Sequence, residues 1–329
     1  MKKQLVLLAS VICLMGLASC GETSSVTSDS TSSQSSVSVA SSDAFDSSKS
    51  IKAYTRDTTS GTRDGFFTKI GLGAAKTDNA PLVNGYVEVS SNGNMISAIQ
   101  NDEYGIGYIS LSTLEGSGLT GLKYENVAPD EANVLNGTYQ LTRNFNYIIR
   151  NDYAETSKVG QIVKAFIAFL GTSEGVTTIK SKDGIISITG NEPTWNSIKS
   201  QYPVCSEDNS SVTVKFGGST SVEKMAKALT AQFAPLCGNF VPSHNHTGSG
   251  DAYKHTQGSE KDDSGALDVG FLSRELELDS AETAASGTYG KICTDAIVAV
   301  VNSVNTYTET TAAALKGIYT GEKLTWASL

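Results

Sequence analysis

Three times in this chain a small loop of Gly, Ser and Thr stands directly ahead of a stretch with helical character, and no other feature restricts the fold as much. Ser211 to Phe216 (S-V-T-V-K-F) alternates with period two, as a strand does. Gly217-Gly218-Ser219-Thr220-Ser221 follows at once, and a helix is predicted from about Ser221 to Phe233, with Val222, Met225, Leu229 and Phe233 on one face. Thr220 followed by Glu223 predicts a capping box at its start. Thr247-Gly248-Ser249-Gly250 precedes a short helix predicted at Asp251 to His255, and Tyr54 to Arg63 (Y-T-R-D-T-T-S-G-T-R) leads into Phe66, Phe67 and Ile70. Elsewhere Val159, Ile162, Val163, Phe166, Ile167 and Leu170 form a helical stripe closed by Gly171. Ala296 to Val301 is a continuous apolar run, as in a strand covered on both faces. Strands and helices mixed in this way imply an α/β sheet architecture. In such sheets ligands lie at the carboxyl ends of strands, against helix N-termini.

The Tyr54–Arg63 stretch carries chemistry for holding a tetrahedral oxyanion. Free backbone N–H groups at a helix N-terminus point at an anion, and the helix dipole favours negative charge there. Gly61 permits close backbone approach. The hydroxyls of Ser60 and Thr62 add donors, and Arg56 can bind two oxygens in a fork. One such motif alone is an ordinary helix cap. Three loops in one chain, one with a well-placed arginine, point to a built anion site.

The rest of the chain narrows the setting. Lys2 and Lys3 precede an apolar run from Leu5 to Leu17, too short to span a bilayer and laid out as a secretory signal. It ends in Leu17-Ala18-Ser19-Cys20-Gly21, which resembles a bacterial lipobox. Residues 1–20 are therefore expected to be a lipoprotein signal, with Cys20 lipidated and the protein anchored to the membrane through this N-terminal lipid. Residues 21–50 are rich in Ser and Thr with almost no large apolar side chains, and are expected to form a disordered tether. The folded body is then 51–329. The formal charge of −9 moves to −11 once Lys2 and Lys3 leave, an acidic surface that argues against nucleic acid but not against a small anion held by local dipoles. Cys205, Cys237 and Cys293 have no C-x-x-C spacing; one disulfide or three buried thiols both fit. His244, His246 and His255 fall within twelve residues, but H-x-H-x8-H matches no strong metal motif, and neither a metal nor another cofactor is expected. No G-x-S-x-G motif, Walker-type loop or carboxylate cluster accompanies Ser60 or Thr62, so an enzyme is not expected.

Four further segments make the reading specific. G-S-T-S-V-E-K-M (Gly218 to Met225), T-G-S-G (Thr247 to Gly250), D-V-G-F-L-S-R-E-L (Asp268 to Leu276) and Y-T-G-E-K-L-T-W (Tyr319 to Trp326) resemble the first half of a PstS-type phosphate-binding protein, the substrate-binding component of the phosphate ABC transporter. R-D-T-T-S-G-T-R (Arg56 to Arg63), Y-G-I-G-Y-I-S-L (Tyr104 to Leu111) and Y-Q-L-T-R (Tyr139 to Arg143) resemble its second half. The order is reversed relative to the usual chain. That looks like a circular permutation, with residues from about 191 to 210 joining the ordinary ends as a surface connection. A truncated product of a duplicated gene is the competing explanation, but every element of the family occurs once.

The resemblance implies a two-lobed periplasmic-binding-protein (type II) fold, each lobe a mixed sheet flanked by helices. One lobe would comprise 51–142 and 291–329, the other 143–290. Phosphate would lie between Arg56, Ser60, Gly61 and Thr62 of the first lobe and Thr220, Ser221, Ser249 and Ser273 of the second. Arg63 and Arg274 are expected as outer contacts. Some family members carry a carboxylate at or beside the position of Ser273, which accepts a proton from phosphate and rejects sulfate. Here Ser273-Arg274-Glu275 stands there, and Asp57 is another candidate acceptor. The implied function is extracytoplasmic capture of inorganic phosphate by a monomer and delivery to ABC-transporter permease subunits. Another oxyanion such as molybdate or tungstate, or a surface adhesin or sensor on the same fold, is the alternative.

Overall fold

A computed structural model describes residues 44–278 and 282–329. The signal segment, Cys20 and the tether as far as residue 43 lie outside the described residues. The chain runs β1 (Lys52–Arg56), α1 (Gly61–Lys69), β2 (Val87–Val89), α2 (Asn92–Gln100), β3 (Gly105–Ser110), β4 (Leu119–Gly121), β5 (Lys123–Tyr124), α3 (Glu131–Leu135), β6 (Thr142–Ile149), α4 (Lys158–Leu170) and α5 (Ser173–Ser181). It continues α6 (Trp195–Ile198), β7 (Thr213–Gly218), α7 (Glu223–Phe233), β8 (Val241–Asn245), α8 (Ser249–Thr256), β9 (Val269–Leu272), β10 (Tyr289–Asn302), β11 (Glu309–Thr310) and α9 (Ala312–Thr320).

The strand order β2-β1-β3-β10-β6-β9-β7-β8 is continuous, and β10 is what makes it so. Its first part, Tyr289 to Ala296, pairs antiparallel with β6. Its second part, Ile297 to Val301, pairs antiparallel with β3. On one side β1 lies parallel between β2 and β3. On the other, β7 lies parallel between β8 and β9. The apolar run at Ala296 to Val301 is buried throughout, as its lack of alternation predicts.

Each side has its own core. One collects Phe66, Phe67, Tyr108, Leu141, Ile297, Tyr319 and Trp326. The other collects Phe145, Phe166, Phe169, Phe216, Met225, Leu229, Phe233 and Phe271. The predicted stripe of α4 supplies Ile162, Val163, Phe166 and Leu170 to the second core. The helix starts at a Ser157 cap and stops at Gly171, one residue from the expected start. The two cores meet through β6 and β10, and each side has the mixed sheet and flanking helices expected of a lobe.

Three details differ from expectation. The capping box at Thr220 does not form. A turn closed by Val222 N–H on the Ser219 carbonyl intervenes, α7 begins at Glu223, and its Val222 cap carries no side-chain hydrogen bond. Residues 191–210 run mostly exposed, as a surface connection does, but not as an unstructured loop. The stretch folds into short helical turns, with Trp195 and Val204 buried in the second core. Its Pro, Ser and Asn residues suggested a loop; its apolar side chains bury enough surface to hold it down. Third, the body begins ahead of Ile51. The Phe45 ring lies 5.7 Å from that of Trp326, and backbone bonds tie the two ends together, Ile51 N–H to the Leu324 carbonyl at 2.8 Å and Ala327 N–H to the Ser47 carbonyl at 2.7 Å.

The open question of the thiols resolves into a Cys205–Cys237 disulfide and a buried, free Cys293. With a sequence separation of 32, loop closure makes this bridge worth about 3–4 kcal/mol. It ties the 191–210 stretch to the end of α7.

Candidate anion-binding site

Arg56 is the last residue of β1 and is 1% exposed. Its position is set by the first core. The Tyr108 ring stacks on Phe66 at 4.0 Å, and its hydroxyl accepts from Arg56 N–H at 3.1 Å and lies 2.8 Å from the Thr55 hydroxyl. The guanidinium then crosses the cleft. Nε donates to the Val89 carbonyl at 3.2 Å, and Nη2 to the Ser90 carbonyl at 2.8 Å and to Thr220 Oγ1 at 3.2 Å. Nη1 is buried without a partner. Burial pulls the Arg56 pKa down, partly offset by Asp57. A guanidinium nonetheless stays charged in a protein, so its buried, unpartnered Nη1 is a donor that an anion would satisfy.

The other predicted residues converge on the same point. Ser60 caps α1, its hydroxyl accepting from Arg63 N–H at 3.4 Å. Gly61 opens α1, and a Cβ there would stand 2.4 Å from Ser249 Oγ and 2.7 Å from Ser273 Oγ. Thr62 Oγ1 lies 2.9 Å from Ser221 Oγ. Ser249 is the first residue of α8, and its hydroxyl accepts from Ser273 N–H at 2.9 Å. The Thr59 carbonyl accepts from Gly250 N–H at 3.0 Å, a main-chain bond across the cleft. The starts of α1 and α8 and the loop ahead of α7 therefore face one another, each with N–H groups that no helix satisfies. Gly218 makes that loop possible. It sits at φ +96°, and a Cβ would lie 2.4 Å from the Phe271 carbonyl oxygen, so no other residue fits between β7 and β9 here.

Four residues of this cluster were not singled out from sequence. Ser219 Oγ lies 2.9 Å from Ser273 Oγ and accepts from Ser221 N–H. Asn92, first residue of α2, donates to Ser221 Oγ at 3.0 Å. Arg143 on β6 donates through Nη2 to Ser221 Oγ at 3.1 Å and pairs with Asp295 of β10. Ser219 was visible inside its loop; Asn92, Arg143 and Asp295 reach the site only through sheet topology.

The outer contacts are spent elsewhere. Arg63 is fully buried, with Nε on the Ala75 carbonyl, Nη1 on the Arg56 carbonyl, and Nη2 on the Asp78 carbonyl and Asn79 Oδ1. It braces the backbone of Arg56 and has no fork left for an anion. Arg274 pairs with Glu282 at 2.6 Å, and Glu275 accepts from Asn144 and Asn146. Of Ser273-Arg274-Glu275, only Ser273 faces the cleft cluster. Asp57 accepts from Thr59 N–H and its hydroxyl through Oδ1, while Oδ2 is buried without a hydrogen bond, 3.7 Å from Arg56 Nη2.

The histidines form a hydrogen-bonded row beneath the loop. His246 Nδ1 donates to the Ser219 carbonyl at 3.0 Å, and its Nε2 lies 3.2 Å from His244 Nδ1. His244 Nε2 lies 2.9 Å from the Thr230 hydroxyl. Burial pushes both imidazoles below their ordinary range, His244 to about 4. His255 Nδ1 lies near the Glu260 carbonyl instead. Among the described residues no group of three His, Cys, Asp or Glu side chains is placed to hold a metal.

A mixed sheet in two halves, joined by paired crossing strands and with helix starts facing across a cleft, defines the class: a two-lobed α/β fold. Comparison with known proteins agrees. A PBP superfamily domain matches residues 204–328. A crystal structure of a phosphate ABC transporter phosphate-binding protein from Streptococcus pneumoniae TIGR4 superposes with a TM-score of 0.59 at 24% identity, over 84% of this chain and 98% of that one. The chain thus has the periplasmic-binding-protein fold. It is also 29% identical over 329 residues to the phosphate-binding protein PstS 2 of Streptococcus pneumoniae, covering 99% of this chain and 98% of the relative. It is 26% identical over 294 residues to PstS 2 of Streptococcus agalactiae, covering 88% and 91%. The likeness to PstS-type proteins inferred from the motifs therefore holds along nearly the whole chain.

Proposed function

We propose that this protein captures inorganic phosphate outside the cytoplasm and hands it to the permease of an ABC transporter, as a binding protein and not as an enzyme. The observation that carries the reading is the meeting of two helix starts and a hydroxyl-lined loop at a buried arginine with an unpartnered nitrogen. Arg56, Ser60, Gly61 and Thr62 would hold the anion from one lobe, and Thr220, Ser221, Ser249 and Ser273 from the other. Hydrogen bonds to a charged group contribute about 1.5–3 kcal/mol each, so a handful in a dry cleft gives micromolar to nanomolar affinity. The free Oδ2 of Asp57 suits a proton acceptor, which would favour protonated phosphate over sulfate. Candidate nucleophiles lack a base: Ser60 caps a helix and Thr62 meets another hydroxyl.

Calorimetric titration of the full-length chain, stripped of ligand, with phosphate, sulfate and molybdate tests the reading. We expect tight one-to-one phosphate binding and no heat from sulfate. Silence toward all three anions would sink the proposal, and a preference for molybdate would redirect it. The same reading places the protein on the membrane through lipid on Cys20. Cys20→Ser should then release it in unlipidated form; a variant whose mass still shows acyl chains would remove the anchor from the proposal.

A further inference from the structure

A second guanidinium lies beside the site, on one of the strands that join the lobes. Arg143 stands near the start of β6, its side chain 4% exposed. Nε and Nη2 both contact Asp295 Oδ2 at 2.9 Å, and Nη2 also reaches Ser221 Oγ at 3.1 Å. Nη1 is buried and bonds to nothing. Arg56 shows the same pattern one residue away on the same loop: its Nη2 is on Thr220 and its Nη1 is free. The two cations are close enough for Arg143 to depress the Arg56 pKa. Two arginines thus approach adjacent hydroxyls of one loop, and each keeps one nitrogen unspent.

Asp295 explains why Arg143 can be there. It is fully buried, and Ser110 Oγ lies 2.8 Å from both its oxygens. Asp295 and Arg143 are register partners where β10 passes from β6 to β3, and Ser110 is the last residue of β3. The carboxylate is therefore held from both lobes, and it aims the guanidinium. A buried donor with no acceptor is costly, and so is a cation with a cation for a neighbour. An oxyanion with several oxygens relieves both.

We infer that Arg143 is a second direct ligand of the bound oxyanion, with Asp295 as the residue that positions it. The inference rests on the oxyanion reading above. It makes the site a two-arginine clamp in which one cation comes from the end of β1 and the other from a strand that crosses between the lobes. Such a clamp suits a doubly charged ligand, and the second contact can form only where the lobes join.

Two variants that break the same ion pair separate ligation from scaffolding. Arg143→Gln removes the ligand. Asp295→Asn keeps an acceptor for Arg143 and leaves the guanidinium in place. In calorimetry on the full-length chain we expect Arg143→Gln to lose about 100-fold or more in phosphate affinity, as truncating one side of a desolvated charge contact does. Asp295→Asn, which drops the charge that aims the guanidinium but not the guanidinium itself, should lose a smaller part of the affinity, about tenfold, and Arg143→Gln in the same chain should add the remainder. Arg143→Lys, which keeps the charge and the fold but not the fork, should lose about tenfold. Equal losses in Arg143→Gln and Asp295→Asn, tracking equal drops in melting temperature, would make the pair a strut and overturn the inference. Parent-like affinity in Arg143→Gln or Arg143→Lys would overturn it as well. A parent chain that binds no phosphate would bring down the oxyanion reading and this inference together, whereas a binding parent with an unaffected Arg143→Gln leaves the reading standing without it.

Discussion

Arg56→Ala should cost phosphate binding about 3–5 kcal/mol, a loss of roughly a hundred- to several-thousandfold in affinity. The side chain is buried, it spans the cleft to Thr220, and its Nη1 has no partner within the protein. Truncation removes a charge from a dry site, where a hydrogen bond to a charged group counts for more than one in water. It also strands the carbonyls of Val89 and Ser90, which accept from Nε and Nη2. Some loss of stability is therefore expected, and affinity should be measured well below the melting temperature of the variant. Arg56→Lys separates the two effects. It restores the charge but not the planar fork, and should recover only part of the affinity. Arg63 supplies the contrast. Its donors all serve its own lobe, so its truncation should appear mainly as a lower melting temperature. An Arg56→Ala protein that folds and binds phosphate like the parent would show that the anion sits elsewhere.

That contrast also shows what the sequence could and could not disclose. The R-x-x-x-S-G-T spacing located Arg56, Ser60, Gly61 and Thr62 because all four belong to one strand–loop–helix step, and local order fixes their relation. The two Gly/Ser/Thr loops of the other lobe were legible for the same reason. Arg63 stood in the same motif and was expected as an outer contact; its hydrogen bonds to Ala75, Asp78 and Asn79 instead assign it to the scaffold. Arg143 and Asp295 lie 152 residues apart and become partners by β6–β10 register, which no local pattern encodes. The capping box at Thr220 failed for a related reason. Its residues were right, but Thr220 is drawn toward Arg56 across the cleft and the helix starts later. The 191–210 stretch runs mostly exposed, as its Pro, Asn and Ser residues suggested, while its short helical turns and the burial of Trp195 and Val204 were not foreseen in a local reading.

Gly61→Ala should abolish tight binding while leaving the protein at least as stable without ligand. Gly61 does not lie in the left-handed region, so alanine meets no backbone strain there and is the better helix former by up to about 1 kcal/mol. What it meets is the other lobe. A Cβ at Gly61 would fall 2.4 Å from Ser249 Oγ, 2.7 Å from Ser273 Oγ and 3.0 Å from Ser249 Cβ. The first two contacts involve short side chains locked in place, because Ser249 Oγ accepts from Ser273 N–H and Ser273 Oγ is 2.9 Å from Ser219 Oγ. Moving either breaks the hydroxyl cluster that forms the site, and the third contact involves a Cβ that rotation cannot move. Parting of the lobes would take these neighbours away, so the methyl group would penalise the closed arrangement and spare an open one. Two-lobed binding proteins couple ligand capture to hinge closure, so a penalty on the closed state is a penalty on affinity. We expect a loss of about 100-fold or more, equivalent to roughly 3 kcal/mol. The unliganded melting temperature should be equal to or above that of the parent, and small-angle scattering should show no contraction on adding phosphate. Parent-like affinity in Gly61→Ala, or contraction of the parent's size, would mean that the lobes do not close on the face of α1 that Gly61 presents, and would move the anion away from that helix start.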